Sequence, residues 1–403
     1  MYKPIKVKNS IHLIGAFIVL ALTVACERTL PYAPMENEIL DGPIDGLTTE
    51  EQAMFLRGDE AFSDVFTIAK GLGPIFVANQ CSSCHPGDGK GSPFVRFTRF
   101  GQPDTLGNQY LDFGAPQLQH KAIPGFLPER LPLGATFTDL IAPAVTGLGF
   151  LDAVSDADLI ALSDPNDLDG DGISGRPHWN TIPEYAVLRP NSISNNGRYI
   201  SRFGKKGNAY DLLHQTSGAY NQDIGITSLF EPFDPLTGLE EDPEVSTQTV
   251  NDVVFYLKTL KAPIQRNEND PEVIAGKLVF AQIQCASCHR PTLQTGFSPI
   301  DVLSNKEFHP YTDLLLHDMG PGLDDDYTEG FALTSEWRTP PLWGLGLSKD
   351  AQGGDYFLMH DGRALSIEEA IILHGGEAGE AKNRYTLLPE IERQQLIKFL
   401  ESL

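Results

Sequence analysis

Cys81-Ser82-Ser83-Cys84-His85 and Cys285-Ala286-Ser287-Cys288-His289 repeat one frame, C-x-x-C-H, in a 403-residue chain whose fifth cysteine is Cys26. The frame has a strict chemical use. Two thiols three positions apart reach the two vinyl groups of one haem. The histidine directly after them turns under the ring and ligates its iron. A thioredoxin-like redox pair shares the C-x-x-C spacing but has no need of that histidine. A four-cysteine zinc site would have to bring the two pairs together across half the chain. Two covalently bound haem c groups are therefore expected. Cys81, Cys84, Cys285 and Cys288 would form the thioethers, and His85 and His289 would be the proximal iron ligands.

The flanks of the two frames also match. A glycine and then a phenylalanine precede each: Gly71 and Phe76 before Cys81, Gly276 and Phe280 before Cys285, with each phenylalanine five residues ahead of its cysteine. Both stretches are expected to be the first helix of a cytochrome c-like fold. A closing helix should follow each frame. Thr247 to Leu260 carries Val250, Val253, Val254, Leu257 and Leu260 at helical spacing, and Leu388 to Leu403 carries Ile391, Leu396, Phe399, Leu400 and Leu403. The polar run Ala262 to Pro271 reads as a linker. The expected fold is mainly α, with two tandem cytochrome c-like domains, residues 51–262 and 263–403. Long loop-rich insertions fall in the first, in keeping with 38 glycines and 29 prolines.

Residues 1–25 hold no acid. Lys3, Lys6 and Lys8 precede an apolar run from Ile11 to Ala25 that only His12 and Thr23 interrupt. Fifteen residues suit the core of an export signal and fall short of a bilayer span. The run ends Leu22-Thr23-Val24-Ala25-Cys26, which resembles a bacterial lipobox whose cysteine becomes the lipidated first residue. The alternatives are an ordinary cleaved signal or a membrane anchor, with Cys26 incidental. Residues 26–50 read as a flexible tether. The expected location is the bacterial cell envelope: exported, lipid-anchored, and periplasm-facing or at the outer membrane. With 30 basic and 54 acidic residues the formal charge is -24, which excludes nucleic acid as a partner and suits docking to a basic redox protein. A mean hydropathy of -0.18 excludes a polytopic membrane protein.

Longer motifs carry a family resemblance: Gly114-Ala115-Pro116-Gln117-Leu118-Gln119, Asp164 to Pro177, Leu315-Leu316-His317-Asp318-Met319-Gly320, Glu336-Trp337-Arg338-Thr339-Pro340-Pro341, His360-Asp361-Gly362-Arg363 and His374-Gly375-Gly376-Glu377. The chain resembles the di-haem cytochrome c peroxidase and MauG superfamily, and within it the thiol oxidoreductase-like di-haem oxidoreductases. The resemblance implies an oxidoreductase in which one haem relays electrons and the other reacts. The thiol-oxidase label fits poorly, since the haem frames and Cys26 account for every cysteine.

The axial ligands opposite the proximal histidines decide the chemistry, because a six-coordinate haem suits electron transfer and an open one binds small molecules. Where the peroxidases carry a methionine ligand after H-D-G, this chain has His374. The resemblance thus implies a bis-histidine C-terminal haem of lowered potential. The other reading of His374 is a helix-terminal histidine, with Met319 and Met359 as substitute ligands. His360 is implied as a partner beside that haem. His317, on a short apolar stretch before Asp318 and Met319, reads as a ligand, a proton relay or a satisfied core histidine. Arg338 and Arg176 are available to the propionates. Trp337 and Trp343 are core residues or aromatics between the haems. His120, His178 and His214 share the first haem's domain, and none is marked as its sixth ligand. An open N-terminal haem, peroxidase-like, is the expected reactive centre. Its oxidant or redox partner would be a small molecule or a second protein, and a non-catalytic electron-transfer lipoprotein is the competing reading. Finally, Asp167-Leu168-Asp169-Gly170-Asp171-Gly172 alternates carboxylates in a tight loop. It reads as a calcium loop through Asp167, Asp169 and Asp171, completed by Asp164 or Asn166, or as a solvated acidic turn.

Overall fold

A computed structural model describes residues 35–403. The export signal, Cys26 and most of the tether lie outside the described residues. No helix among the described residues is long and apolar enough to cross a membrane. Leu40–Leu403 form one compact unit, so the folded body starts ten residues before the expected end of the tether.

Two pairs of crossed helices organise that unit. Helix α1 (Thr49–Ser63) packs on α2 (Thr247–Thr259), and α3 (Pro271–Gln282) packs on α4 (Glu390–Ser402). Local chemistry sets where they start. Thr48 and Glu51 make a reciprocal capping box for α1, Ser246 accepts from Thr249 N–H at α2, and Asp270 caps α3 with Pro271 in its first turn. Each crossing is close because a glycine sits in it. A Cβ on Gly58 would lie 2.1 Å from the Asp252 carbonyl oxygen, and one on Gly276 would lie 2.0 Å from that of Gln395.

Each crossing seeds a core. Phe55 and Phe62 meet Tyr256 in the first, and Phe280 meets Phe399 and Tyr311 in the second. The first core also takes in Leu293, Phe308, Leu314, Leu315 and Trp343, which lie beyond residue 262. The strands are short and antiparallel. β1 (Arg96–Gly101) pairs with β2 (Thr136–Ile141), and β3 (Leu316–Asp318) pairs with β4 (Glu336–Arg338), setting His317 opposite Trp337.

The expected helices Thr247 to Leu260 and Leu388 to Leu403 match α2 and α4, and Gly276 to Phe280 lies within α3. The stretch from Gly71 to Phe76 is corrected. It is no helix: Gly71 and Gly73 take left-handed φ of 91° and 85°, and Ile75–Phe76 pairs as a strand with Lys121–Ala122. Glycine alone enters that region without strain, and two such residues within three positions break a helix. The helix that pairs with α2 is α1, which begins inside the expected tether.

Candidate haem sites

Both C-x-x-C-H frames fold into the same kind of loop. Cys81–Cys84 forms a single helical turn and Cys285–Ser287 a tighter 3-10 turn. In each, the histidine N–H donates to the carbonyl of the first cysteine at 3.0 Å, His85 to Cys81 and His289 to Cys285. All four cysteines are free thiols. Burial pushes Cys81, Cys84 and Cys285 up to about 12. Such thiols are poor thiolates, which argues against a redox dithiol. They also do not converge: among the described residues no metal-sized cluster holds more than one cysteine.

One cavity of about 530 Å³ reaches both loops, lined by Cys81, Cys84 and His85 as well as Cys285, Cys288 and His289. The proximal histidines suit iron. His289 Nδ1–H donates to the Tyr311 carbonyl at 3.0 Å, leaving Nε2 for the cavity. His85 Nδ1 is buried with no hydrogen-bond partner of good geometry, and its ring lies against Phe62 at 5.9 Å. Burial lowers both histidines to about 4, so each is a neutral donor. This donor set and the shared cavity fit two haems.

His374 caps the C-terminus of helix α5 (Ile367–Leu373), whose start is held by Ser366 accepting from Glu369 N–H. Its Nδ1–H donates to the Ala370 carbonyl at 2.7 Å, so Nε2 is the free nitrogen. It lines the cavity with His289, and after burial its ring is the largest influence lowering His289. Met319 and Met359 line the cavity too.

His317 is saturated. Its Nε2 meets Asp313 Oδ2 at 2.9 Å and its Nδ1 meets Glu377 Oε2 at 2.6 Å, with Cys288 Sγ 3.6 Å from the same Nδ1. Burial opposes the charge, but hydrogen bonds led by Asp313 overcome it and raise the imidazole well above its ordinary value. A cation held at both ring nitrogens is no iron ligand. Glu377 also accepts from Ser174 N–H and Oγ, and Gly175 lies so close to His317 that a Cβ would meet its Cε1 at 2.6 Å. The acidic loop is thereby tied to the second haem loop. Within that loop the carboxylates that converge are Asp164, Asp167 and Asp169. Asp171, expected in the set, lies outside it: its Oδ1 accepts from Ile173 N–H and so turns back on its own loop.

On the N-terminal side, His120 is exposed and His178 is spent, its Nδ1–H donating to the Lys206 carbonyl and its Nε2 accepting from Phe331 N–H. His214 lines the cavity, but its Nδ1 accepts from Tyr210 N–H at 3.2 Å. Burial keeps it neutral, lowered to about 4, so its proton sits on Nε2, the nitrogen a ligand would need bare. Gln117 lines the same cavity, buried with its Nε2 unpartnered, and Arg99 is held by Glu329 at 2.6 Å.

His360 also lines the cavity, its ring stacked on Trp337 with centroids 4.6 Å apart and planes 13° apart. Trp337 Nε1 donates to the Leu323 carbonyl, while Trp343 packs in the first core against Phe308. Arg176, expected to be free for a propionate, is taken up by Glu336. Gln117 stood in the sequence only as part of the Gly114 to Gln119 motif, with no role, and sequence reasoning missed Asp313, Lys90 and Lys205. Only the i, i+4 spacing of Asp313 and His317 signalled any of them.

Among solved structures, the chain is similar to the hydrazine synthase of Kuenenia stuttgartiensis at 13% identity, covering 93% of this chain and 96% of that one with a TM-score of 0.44. It is similar to a MauG-like protein associated with microbial copper homeostasis at 14% identity, covering 93% and 95% with a TM-score of 0.41. It is also similar to the di-haem peroxidase BthA of Burkholderia thailandensis at 14% identity, covering 92% and 89% with a TM-score of 0.41. No curated protein sequence matches it. The family model described as "Di-haem oxidoreductase, putative peroxidase" matches residues 137–403, which include the second C-x-x-C-H frame, His317, His360 and His374. That match spans well over half of the chain, and the protein belongs to the di-haem oxidoreductase family.

Proposed function

We propose that the protein is a periplasm-facing di-haem c-type oxidoreductase that reduces a peroxide at its N-terminal haem site. Cys81 and Cys84 would hold one haem covalently above His85, and Cys285 and Cys288 the other above His289. When bound there, haem would supply one-electron redox chemistry and peroxide reduction. The observation that carries the reading is the asymmetry of the free imidazoles. His374 turns a bare Nε2 to the cavity beside His289, while His214 offers only an N–H donor on the N-terminal side. His289 and His374 would therefore both hold the C-terminal haem, which would supply electron relay, while His85 would be the histidine that holds the other.

The chain's other residues serve that division. Tyr311 and Ala370 orient the rings of His289 and His374 through their carbonyls. His214 Nε2–H and the unpartnered Gln117 amide are the donors available to a bound peroxide. Reduction takes two electrons and two protons per peroxide and yields two waters or an alcohol and a water. An external redox protein supplies the electrons, and the acidic surface favours a basic one. Cys26 would anchor the chain by lipid to the envelope membrane. Asp164, Asp167 and Asp169 would hold a structural calcium, which the tie from Ser174 to Glu377 relays to the second haem loop.

Low-temperature EPR of the oxidised holoprotein, with optical spectra before and after hydrogen peroxide, tests the reading. The expected result is one low-spin and one high-spin ferric signal, with only the high-spin one changed by peroxide. Two low-spin signals indifferent to peroxide, both oxidised and half-reduced, would make the chain a non-catalytic electron carrier.

A further inference from the structure

Three cationic side chains line the cavity, two of them tied together by Arg338 N–H donating to the Lys205 carbonyl at 3.1 Å, and none in an ion pair among the described residues. Lys205 and Arg338 are buried, and Lys90 reaches the cavity from the turn after the first C-x-x-C-H frame. Among the described residues neither lysine ammonium has a hydrogen-bond partner. The Arg338 guanidinium donates only to the Gly204 and Thr339 carbonyls. Burial, then repulsion from Lys90 and Arg338, pushes the Lys205 ammonium well below its ordinary value. Burial also brings Lys90 down to about 8 and Arg338 to about 10.

The neighbouring cations are treated differently. Lys206, next in sequence, meets Asp325 at 3.0 Å and three backbone carbonyls. Arg99 has Glu329, Arg176 has Glu336, and Arg202 has Asp156. The carboxylates that do act on the cluster are committed elsewhere: Asp361 is bonded by Arg363 at 2.5 Å, and Asp313 by His317. His360 lies among the three cations, kept neutral by burial and then by Lys205, Arg338 and Lys90.

An unpaired buried charge costs several kcal/mol, and buried charges are otherwise paired. This cluster is complete only when an anion enters the cavity. The ligand chemistry is a carboxylate in a dry site, which Arg338 can take in a bidentate grip. Every haem carries two such carboxylates, its propionates, on the edge away from the vinyl thioethers.

We propose that Lys90, Lys205 and Arg338, gathered around His360, form the binding site for haem propionate carboxylates, shared between the two haem-loop regions of the chain. The inference rests on the haem reading above. The site holds the group's rim charge and thereby sets its potential.

The test uses holoprotein of the wild type, Lys205→Met, Lys205→Arg, Lys90→Gln and the exposed control Lys277→Gln. Haem per chain is measured first, and fewer than two haems in the wild type would sink the functional reading itself. With two present, spectroelectrochemical titrations are run from acid to alkaline pH. Lys205→Met and Lys90→Gln should lower the potential of one haem, because a lost cation favours the ferric state. The pH dependence of that potential should move toward neutrality as the propionate binds its proton more tightly. Lys205→Arg and Lys277→Gln should titrate as wild type. Unchanged potentials in Lys205→Met and Lys90→Gln overturn the proposal. A second arm exchanges chloride for phosphate or acetate at constant ionic strength. A wild-type potential that follows the added anion, and ceases to in Lys90→Gln, assigns the cluster to a free anion and overturns the propionate assignment.

Discussion

Replacing Gly276 with alanine sets two known effects against each other, and the structure decides between them. Alanine is the better helix former by about 1 kcal/mol in a helix interior, so propensity alone makes Gly276→Ala stabilising. At this crossing the new Cβ would stand 2.0 Å from the Gln395 carbonyl oxygen and 2.7 Å from Phe399 Cβ. A tolerable contact needs at least 3.0 Å, so α3 and α4 must part by about 1 Å. The obstacle is backbone, and no rotamer change relieves it. Overpacking costs about 1–3 kcal/mol. A rigid backbone obstacle belongs at the upper end of that range, so with the propensity gain deducted a net loss of up to about 2 kcal/mol is expected. The assay is a thermal melt of the holoprotein followed by far-ultraviolet circular dichroism. Scaled by the unfolding entropy per residue to the unit Leu40–Leu403, each kcal/mol is worth about 1–2 °C, and the midpoint should fall by up to about 3 °C. The strain has a local readout as well, since Phe280 on α3 meets Tyr311, whose carbonyl orients His289. Gly276→Ala should disturb the optical bands of the C-terminal haem. Gly58→Ala, whose Cβ would meet the Asp252 carbonyl oxygen at 2.1 Å, should disturb those of the N-terminal haem through Phe62 and His85. Either variant melting at or above the wild type would refute the steric account of both crossings.

Three further outcomes are expected. His374→Ala should convert the low-spin ferric signal to high-spin and raise the potential of that haem, and an unchanged EPR spectrum would move the ligand to Met319 or Met359. His317→Gln removes one partner of a buried charge cluster and should cost about 3–5 kcal/mol in urea unfolding. The same cluster gives the wild type a pH window. His317 is held well above 6.5 and Glu377 below 4.5, so their shared stabilisation is complete between those values. It is lost on the alkaline side as pH passes the raised value of His317, and on the acid side as pH passes the lowered value of Glu377. A stability profile as steep in His317→Gln as in the wild type would contradict this. Chelation of calcium should lower the melting temperature of the wild type but not of Asp167→Asn, and equal melting of untreated and chelated wild type would leave the acidic loop a solvated turn.

What the sequence made legible was contiguous. The C-x-x-C-H frames, α2 and α4 each depend on residues within one or two turns, and His374, for which the resemblance implied a ligand role, stands at the end of α5 and lines the cavity. The failures share a different cause. Gly71 to Phe76 shares a glycine and a phenylalanine with the α3 flank, but the left-handed φ of Gly71 and Gly73 turns the chain into a strand that pairs with Lys121–Ala122. Asp171 alternates with Asp167 and Asp169 in sequence, yet its carboxylate satisfies Ile173 N–H while Asp164 closes the cluster. In both cases backbone direction, which composition does not encode, decided where a side chain or a turn went.

The histidines take this one step further. Ten occur in the chain, and residue type leaves each of them able to bind iron. What separates them, His178 with its second partner at Nε2 apart, is the partner of Nδ1. A carbonyl there, as for His289 and His374, puts the proton on Nδ1 and bares Nε2. An N–H there, as for His214, does the reverse. Carboxylates at both nitrogens, as for His317, fix a cation. All of these partners except those in the same turn come from distant sequence, so the number of ligands in the cavity is a property of the fold. A chain with a carbonyl in place of Tyr210 N–H would instead bare His214 Nε2. Under the proposed function, an open position on the N-terminal side would depend on one backbone amide, and reactivity toward peroxide would rest on that hydrogen bond.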